Sequence, residues 1–158
     1  MSTPTLQTRE EQSAFVRDAV ERADGLRKEK RFQEAISLLV EALQYGIDKA
    51  NLYYRLGNVY FDGADLSRAE YAYNRALEVD PKHVNAMHNL AVVYKRQKKI
   101  SLYVKTYKKS QRMALRYPKN VKFTAGEKRR IRFLSMRVSL WIVAGFGLIA
   151  LLIWLFGR

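Results

Sequence analysis

The chain has 158 residues and a formal net charge of +14, from 29 Lys+Arg against 15 Asp+Glu. That length holds one domain with an added segment and excludes a large multidomain enzyme. There is no cysteine, which excludes disulfides, thiolate metal sites and cysteine nucleophiles.

The excess charge is unevenly placed. Residues 1–80 carry 11 basic and 14 acidic side chains, whereas residues 81–158 carry 18 basic ones and a single acid, Glu127. Sixteen of those cations lie between Lys95 and Arg137. A basic half of this kind points to an anionic partner, either a membrane surface or a nucleic acid.

In chain order, residues 1–11 are polar with no apolar run, so they are expected to be disordered and are not a secretory signal. From residue 12 onward apolar and small residues recur at helical spacing. They predict helices at 12–29, 32–45, 50–61, 66–79, 84–97 and 100–116, an all-α chain. Asp62-Gly63 supplies a turn, Asp65 a helix cap, and Asp80-Pro81 a stop.

The helices repeat with a period of 34 residues. In the second unit Tyr53, Leu56, Gly57, Tyr60, Ala69, Tyr73 and Pro81 follow the spacing W-x2-L-G-x2-Y…A-x3-F…P, with Tyr for Trp and Phe. One period earlier stand Ala19, Arg22, Ala23, Leu26, Ala35, Leu39, Ala42 and Leu43; only Arg22 breaks the pattern. One period later stand Met87, Leu90, Ala91, Tyr94, Tyr103, Tyr107 and Ser110. There the second helix is degenerate, because Tyr103 occupies the small slot. Gly57 and Ala69 are small where two helices approach closely. Tyr53, Tyr60, Tyr73, Tyr94 and Tyr107 are read as packing residues and not as a base-stacking platform.

This pattern resembles the tetratricopeptide repeat family. The resemblance implies a domain over 12–117 with repeats at about 16–49, 50–83 and 84–117, wound as a right-handed α-solenoid. It also implies a groove, lined by the first helix of each repeat, that binds a protein partner. The positions that would face it are Asn51, Tyr54, Arg55, Asn58 and Asp62, then Asn85, His88, Asn89, Val92 and Arg96. Asn58 and Asn89 coincide with the two asparagines that hold a peptide backbone and terminal carboxylate in chaperone-binding members. Tyr54 stands where those members have Lys, so the carboxylate clamp is incomplete and a chaperone tail is not the expected ligand.

Residues 118–137 form a basic linker or helix. Lys128, Arg129, Arg130, Arg132 and Arg137 are expected to contact anionic lipid. Thr124-x-x-Glu127 has the form of a capping box, opening either one long helix or a linker followed by a separate anchor. Val138–Phe156 is 19 residues without a charge, with Ser139 its one polar side chain. As a helix it would span ~28 Å, close to the ~30 Å hydrocarbon core. Trp141 and Trp154 lie near its ends, as interfacial aromatics do. With only Gly157 and Arg158 after it, the segment reads as a single-pass tail anchor. The flanking cations then leave the N-terminal domain in the cytoplasm, at a bacterial inner membrane or a eukaryotic organelle membrane.

The sequence has no H-E-x-x-H, P-loop, G-x-G-x-x-G or G-x-S-x-G motif. His83 and His88 are five apart, which suits no helical metal pair. No enzyme activity, metal or cofactor is expected. The function that uses both strong signals is a membrane-anchored adaptor for a protein partner. Two alternatives use fewer of them. One is a membrane-held nucleic-acid or ribosome binder using the basic 95–137 stretch, Lys95, Arg96, Lys98, Lys99, Lys105, Lys108, Lys109, Arg112 and Arg116 included. The other is a membrane-remodelling adaptor, by layout alone.

Overall fold

A computed structural model describes residues 8–117, together with 132, 133, 136, 141 and 145. The chain forms two compact units, 1–118 and 119–158. The first carries six helices: α1 (Arg9–Lys28), α2 (Phe32–Gln44), α3 (Lys49–Asp62), α4 (Leu66–Val79), α5 (Val84–Arg96) and α6 (Ile100–Arg116). Among the described residues there is no strand. In the second unit Arg132, Phe133, Met136, Trp141 and Gly145 are helical and exposed.

The helices pair as α1 on α2, α3 on α4 and α5 on α6, and neighbouring hairpins join through α2–α3, α4–α5 and α1–α3. Their bounds follow local chemistry. α1 opens at Arg9 and not at residue 12, because Thr8 and Glu11 form a capping box. The Glu11 amide donates to Thr8 Oγ1 at 3.2 Å and the Thr8 amide donates to Glu11 Oε2 at 3.2 Å. This corrects the expected disorder of 1–11 at its last residues; residues 1–7 lie outside the description. Asp65 Oδ1 accepts from the Arg68 amide at 3.0 Å and caps α4. The α5 cap is His83, whose Nδ1 accepts from the Ala86 amide at 3.1 Å.

The 34-residue period is written into the backbone of the hairpin turns. Lys30, Ala64 and Lys98 all have φ of 62°, a left-handed conformation at non-glycine residues. Around each, the same bond recurs: the amides of Arg31, Asp65 and Lys99 donate to the carbonyls of Leu26, Tyr60 and Tyr94, each at 2.9 Å. These are the helix-ending bonds that satisfy orphan carbonyls.

Packing is less regular than the turns. Small residues let the helices close up: Ala19, Ala23, Ala35 and Ala42 are buried with Leu39 in one core cluster, and Ala69, Ala76 and Ala86 in a second. Gly57 faces the Tyr73 ring. A Cβ at residue 57 would lie 2.5 Å from Tyr73 Cε1 and 2.9 Å from Cζ, so the ring sits in space that only glycine leaves. In the third repeat the matching pair is Ala91 and Tyr107. Ala91 has its Cβ, and Tyr107 stands outside the core at 36 % exposure. This corrects the expectation that Tyr107 packs inside. Tyr103, at the small-residue slot, packs partly buried on the core beside Tyr107, ring centroids 5.6 Å apart. α6 consequently buries only Ser110 and Met113.

Candidate functional site

A cleft of about 290 Å³ opens between the hairpins, lined by Arg27, Tyr54, Asn58, Phe61, Asp62, Tyr73, Asn89 and Val92. α3 and α5 supply most of its wall, at positions one helical turn or one repeat apart. Asn58 and Asn89 meet at its centre. Asn89 Nδ2 donates to Asn58 Oδ1 at 2.9 Å, and the Tyr73 hydroxyl donates to the same oxygen at 2.8 Å. A longer contact of 3.5 Å runs from Asn89 Nδ2 to the Tyr73 hydroxyl.

This network fixes both amides. Asn58 spends its carbonyl oxygen and keeps its NH2 donors; Asn89 spends its NH2 and keeps its carbonyl oxygen. The pair therefore keeps a donor group on Asn58 and an acceptor on Asn89, which complement the C=O and N–H of an extended peptide. Burial pushes the Tyr73 hydroxyl far above its ordinary value, with the Asn89 bond opposing. It remains a neutral donor across the physiological range.

A chain of charges links the first two repeats and reaches the cleft at Arg27 and Asp62. Arg27 pairs with Asp62, Arg55 pairs with Asp24, and Arg27 Nε lies 3.9 Å from Asp24 Oδ1. Arg27 Nε is buried with no hydrogen-bond partner among the described residues. Tyr54 stacks at a tilt against His83, centroids 4.8 Å apart, and faces Tyr73 at 6.2 Å.

The expected groove residues divide. Tyr54, Asn58 and Asn89 line the cleft, as do Asp62 and Val92. Arg55 lies beside it, with its guanidinium 5.8 Å from the Tyr54 ring centroid. Asn51 belongs to a separate hollow of about 180 Å³ with Ser13, Val16, Arg17, Val20, Ile47 and Asp48. There Asn51 Nδ2 donates to Asp48 at 2.9 Å and its Oδ1 accepts from Arg55 Nε at 3.3 Å. Asn85 is half-buried in the first turn of α5. His88 is exposed, its ring 5.9 Å from Tyr107. Arg96 is exposed with its guanidinium 4.4 Å from the centre of the Phe61 ring.

Three cleft residues were not foreseen: Arg27, Phe61 and Tyr73. Tyr73 comes from a second helix, outside the first-helix pattern, and only the glycine opposite it signals that it reaches through. Of the expected lipid contacts, Arg132 is exposed on a helix; Lys128, Arg129, Arg130 and Arg137 lie outside the described residues. So does most of 138–156, in which Trp141 is 76 % exposed. Among the described residues no helix is long and apolar enough to cross a membrane, and no group of three His, Cys, Asp or Glu could hold a metal ion.

Comparison with known proteins agrees with the periodicity. A tetratricopeptide repeat family model matches residues 50–83, and a second tetratricopeptide repeat model matches residues 72–101. A protein of Pyropia yezoensis described as "Uncharacterized protein ycf37" is 38 % identical over 60 residues, which is 38 % of this chain and 34 % of that protein. The matched stretch thus spans about a third of the length of that relative.

Proposed function

This chain carries tetratricopeptide repeats, and from that premise we propose that it is an adaptor that holds a protein partner at a membrane face. The observation that carries the reading is the locked pair Asn58–Asn89. Its amides are ordered before any ligand arrives, so binding does not cost their rotamer entropy. The free donor and acceptor favour an extended backbone segment over a small molecule. Tyr54, Phe61 and Val92 add apolar surface for alternate side chains of such a segment.

The membrane part of the proposal rests on the 19-residue uncharged segment 138–156 and its flanking cations. A helix of that length matches the hydrocarbon core at ~28 Å. Lys128, Arg129, Arg130, Arg132 and Arg137 would stay on the side of the repeats and contact anionic headgroups, worth about 1 kcal/mol each near the surface. The repeats would then face the cytoplasm.

The test is partner capture by the detergent-solubilised full-length chain, repeated with Asn58→Leu and Asn89→Leu together. The expected result is loss of the specific partners while the helix content stays unchanged. An unchanged partner set from a folded double variant would remove the cleft from the mechanism.

A further inference from the structure

α6 presents three different stripes, set by helical spacing. Positions 103, 106, 110 and 113 face α5 and the core. Positions 105, 109, 112 and 116 form a second stripe, all Lys or Arg, with Lys108 next to it. Ile100, Val104 and Leu115 lie on a third stripe, exposed at 57 %, 41 % and 85 %. The helix contains no Asp or Glu. Among the described residues, none of its five cations belongs to an ion pair, whereas Arg22, Arg27, Arg31, Arg55, Arg68 and Arg75 all do.

A solvated charged face accounts for the cations alone. It gives no role to Ile100, Val104 and Leu115, which share the solvent arc with those cations. A nucleic acid would use the cations but gain nothing from aliphatic groups, since base platforms are aromatic. An anionic lipid surface uses both, because cations sit among the phosphates while aliphatic side chains enter the upper acyl region. The charge run also continues past α6 in the sequence, through Lys119, Lys122 and Lys128–Arg130, into the segment proposed above as a span.

We propose that the solvent face of α6 is a second lipid contact, taking anionic phospholipid headgroups with Lys105, Lys109, Arg112 and Arg116 and seating Ile100, Val104 and Leu115 at the interface. It rests on the membrane reading only for its tether. Docking of α6 fixes the lie of the repeats on the bilayer, so that a partner meets the cleft in one orientation.

The absence of cysteine makes the test direct. Single cysteines are introduced as Val104→Cys, Leu115→Cys and, as a reference on α2, Val40→Cys. Each full-length variant carries a fluorophore and is placed in nanodiscs containing a lipid-borne quencher. The discs are phosphatidylcholine alone, or phosphatidylcholine with phosphatidylglycerol. Retention by the neutral discs reads the span, and quenching on α6 reads the present proposal, so either can fail alone. Quenching at 104 and 115 should exceed that at 40 and rise with phosphatidylglycerol. Changing Lys105, Lys109 and Arg112 to Gln should remove the rise, since each cation contributes a factor of about five in surface partitioning. Equal quenching at all three positions, or quenching indifferent to lipid charge, would overturn the proposal. Protection of 104 and 115 by added RNA, without quenching in the anionic discs, would overturn it too and assign the face to nucleic acid.

Discussion

The second and third repeats share one backbone plan and differ in what they bury. Both turn through a left-handed residue with φ of 62°, at Ala64 and Lys98, with the same closing bond at 2.9 Å. In the second repeat Gly57 opens a slot and Tyr73 fills it, 1 % exposed. In the third, Ala91 keeps the slot closed and Tyr107 stays at the surface. In the first, Ala23 faces the smaller Leu39, and both are buried. Local turn chemistry is therefore repeated faithfully, while the core is set pair by pair. Where glycine faces it the ring is core and cleft wall; where Ala91 faces it and Tyr103 takes the slot of Ala69, the ring is an exposed edge.

The largest expected effect comes from closing that slot. Gly57→Ala places a Cβ within 2.9 Å of three Tyr73 ring atoms, so the ring must move. Overpacking of this kind costs about 1–3 kcal/mol, read by denaturant unfolding, and it should also displace the hydroxyl from Asn58. Adding Tyr73→Leu, which copies the Ala23–Leu39 pair of the first repeat, should recover most of the stability but not the hydroxyl bond to Asn58. If Gly57→Ala alone is neutral, the steric account of the two repeats is wrong.

Removing only the hydroxyl gives a smaller change. Tyr73→Phe leaves the ring and deletes one of the two bonds to Asn58 Oδ1, a loss of about 0.5–1.5 kcal/mol. Partner affinity should fall further than stability does, because the amide pair loses its lock. Equal stability and equal partner binding would show that Tyr73 only fills space.

The turns should answer alike where the cores do not. Lys30→Gly, Ala64→Gly and Lys98→Gly each relieve a left-handed non-glycine residue, and each should stabilise by up to about 1 kcal/mol. A gain at one turn and a loss at another would break the claim of a common backbone plan.

The smallest effect is electrostatic. Burial raises the Glu70 carboxyl, but its bonds to Lys99, at 2.9 Å, and to Gln97 outweigh this and leave it below the ordinary carboxylate value. A depressed folded value means stability present above the unfolded carboxylate range and lost as the pH falls through the folded value. Because Lys99 is 45 % exposed, the pair is worth under about 1 kcal/mol. Lys99→Ala should remove that contribution at neutral pH, change nothing below the carboxylate range, and so flatten the acid limb of a stability-against-pH curve. An unchanged acid limb would show that the pair does not couple α4 to the α5–α6 turn.

The helices were legible because their signals are local. Asp65 caps where a cap was read, and the Ala and Gly slots mark the crossings. That Tyr54, Asn58 and Asn89 share one cleft was legible because the repeat fixes which way α3 and α5 face. Arg27 and Tyr73 were not, since each reaches the cleft across a hairpin, and that path depends on a partner side chain far along the chain: Asp62 for Arg27, Gly57 for Tyr73. The His83 cap carries no such signal, because Ser, Thr, Asp and Asn are the usual capping residues. Asn51 follows the same period as Asn58 but sits near the start of α3, where Asp48 and Arg55 engage it.

The central claim is that a partner lies in the cleft over Asn58 and Asn89. A photo-crosslinking residue at Val92, inside the cleft, tests it against the same residue at Val40, on α2 and outside it, in the full-length chain in its host membranes. The account predicts a discrete adduct from position 92, none from position 40, and loss of the adduct when Asn58 is changed to Leu. An adduct from position 40 alone, or one from position 92 that survives Asn58→Leu, would contradict it.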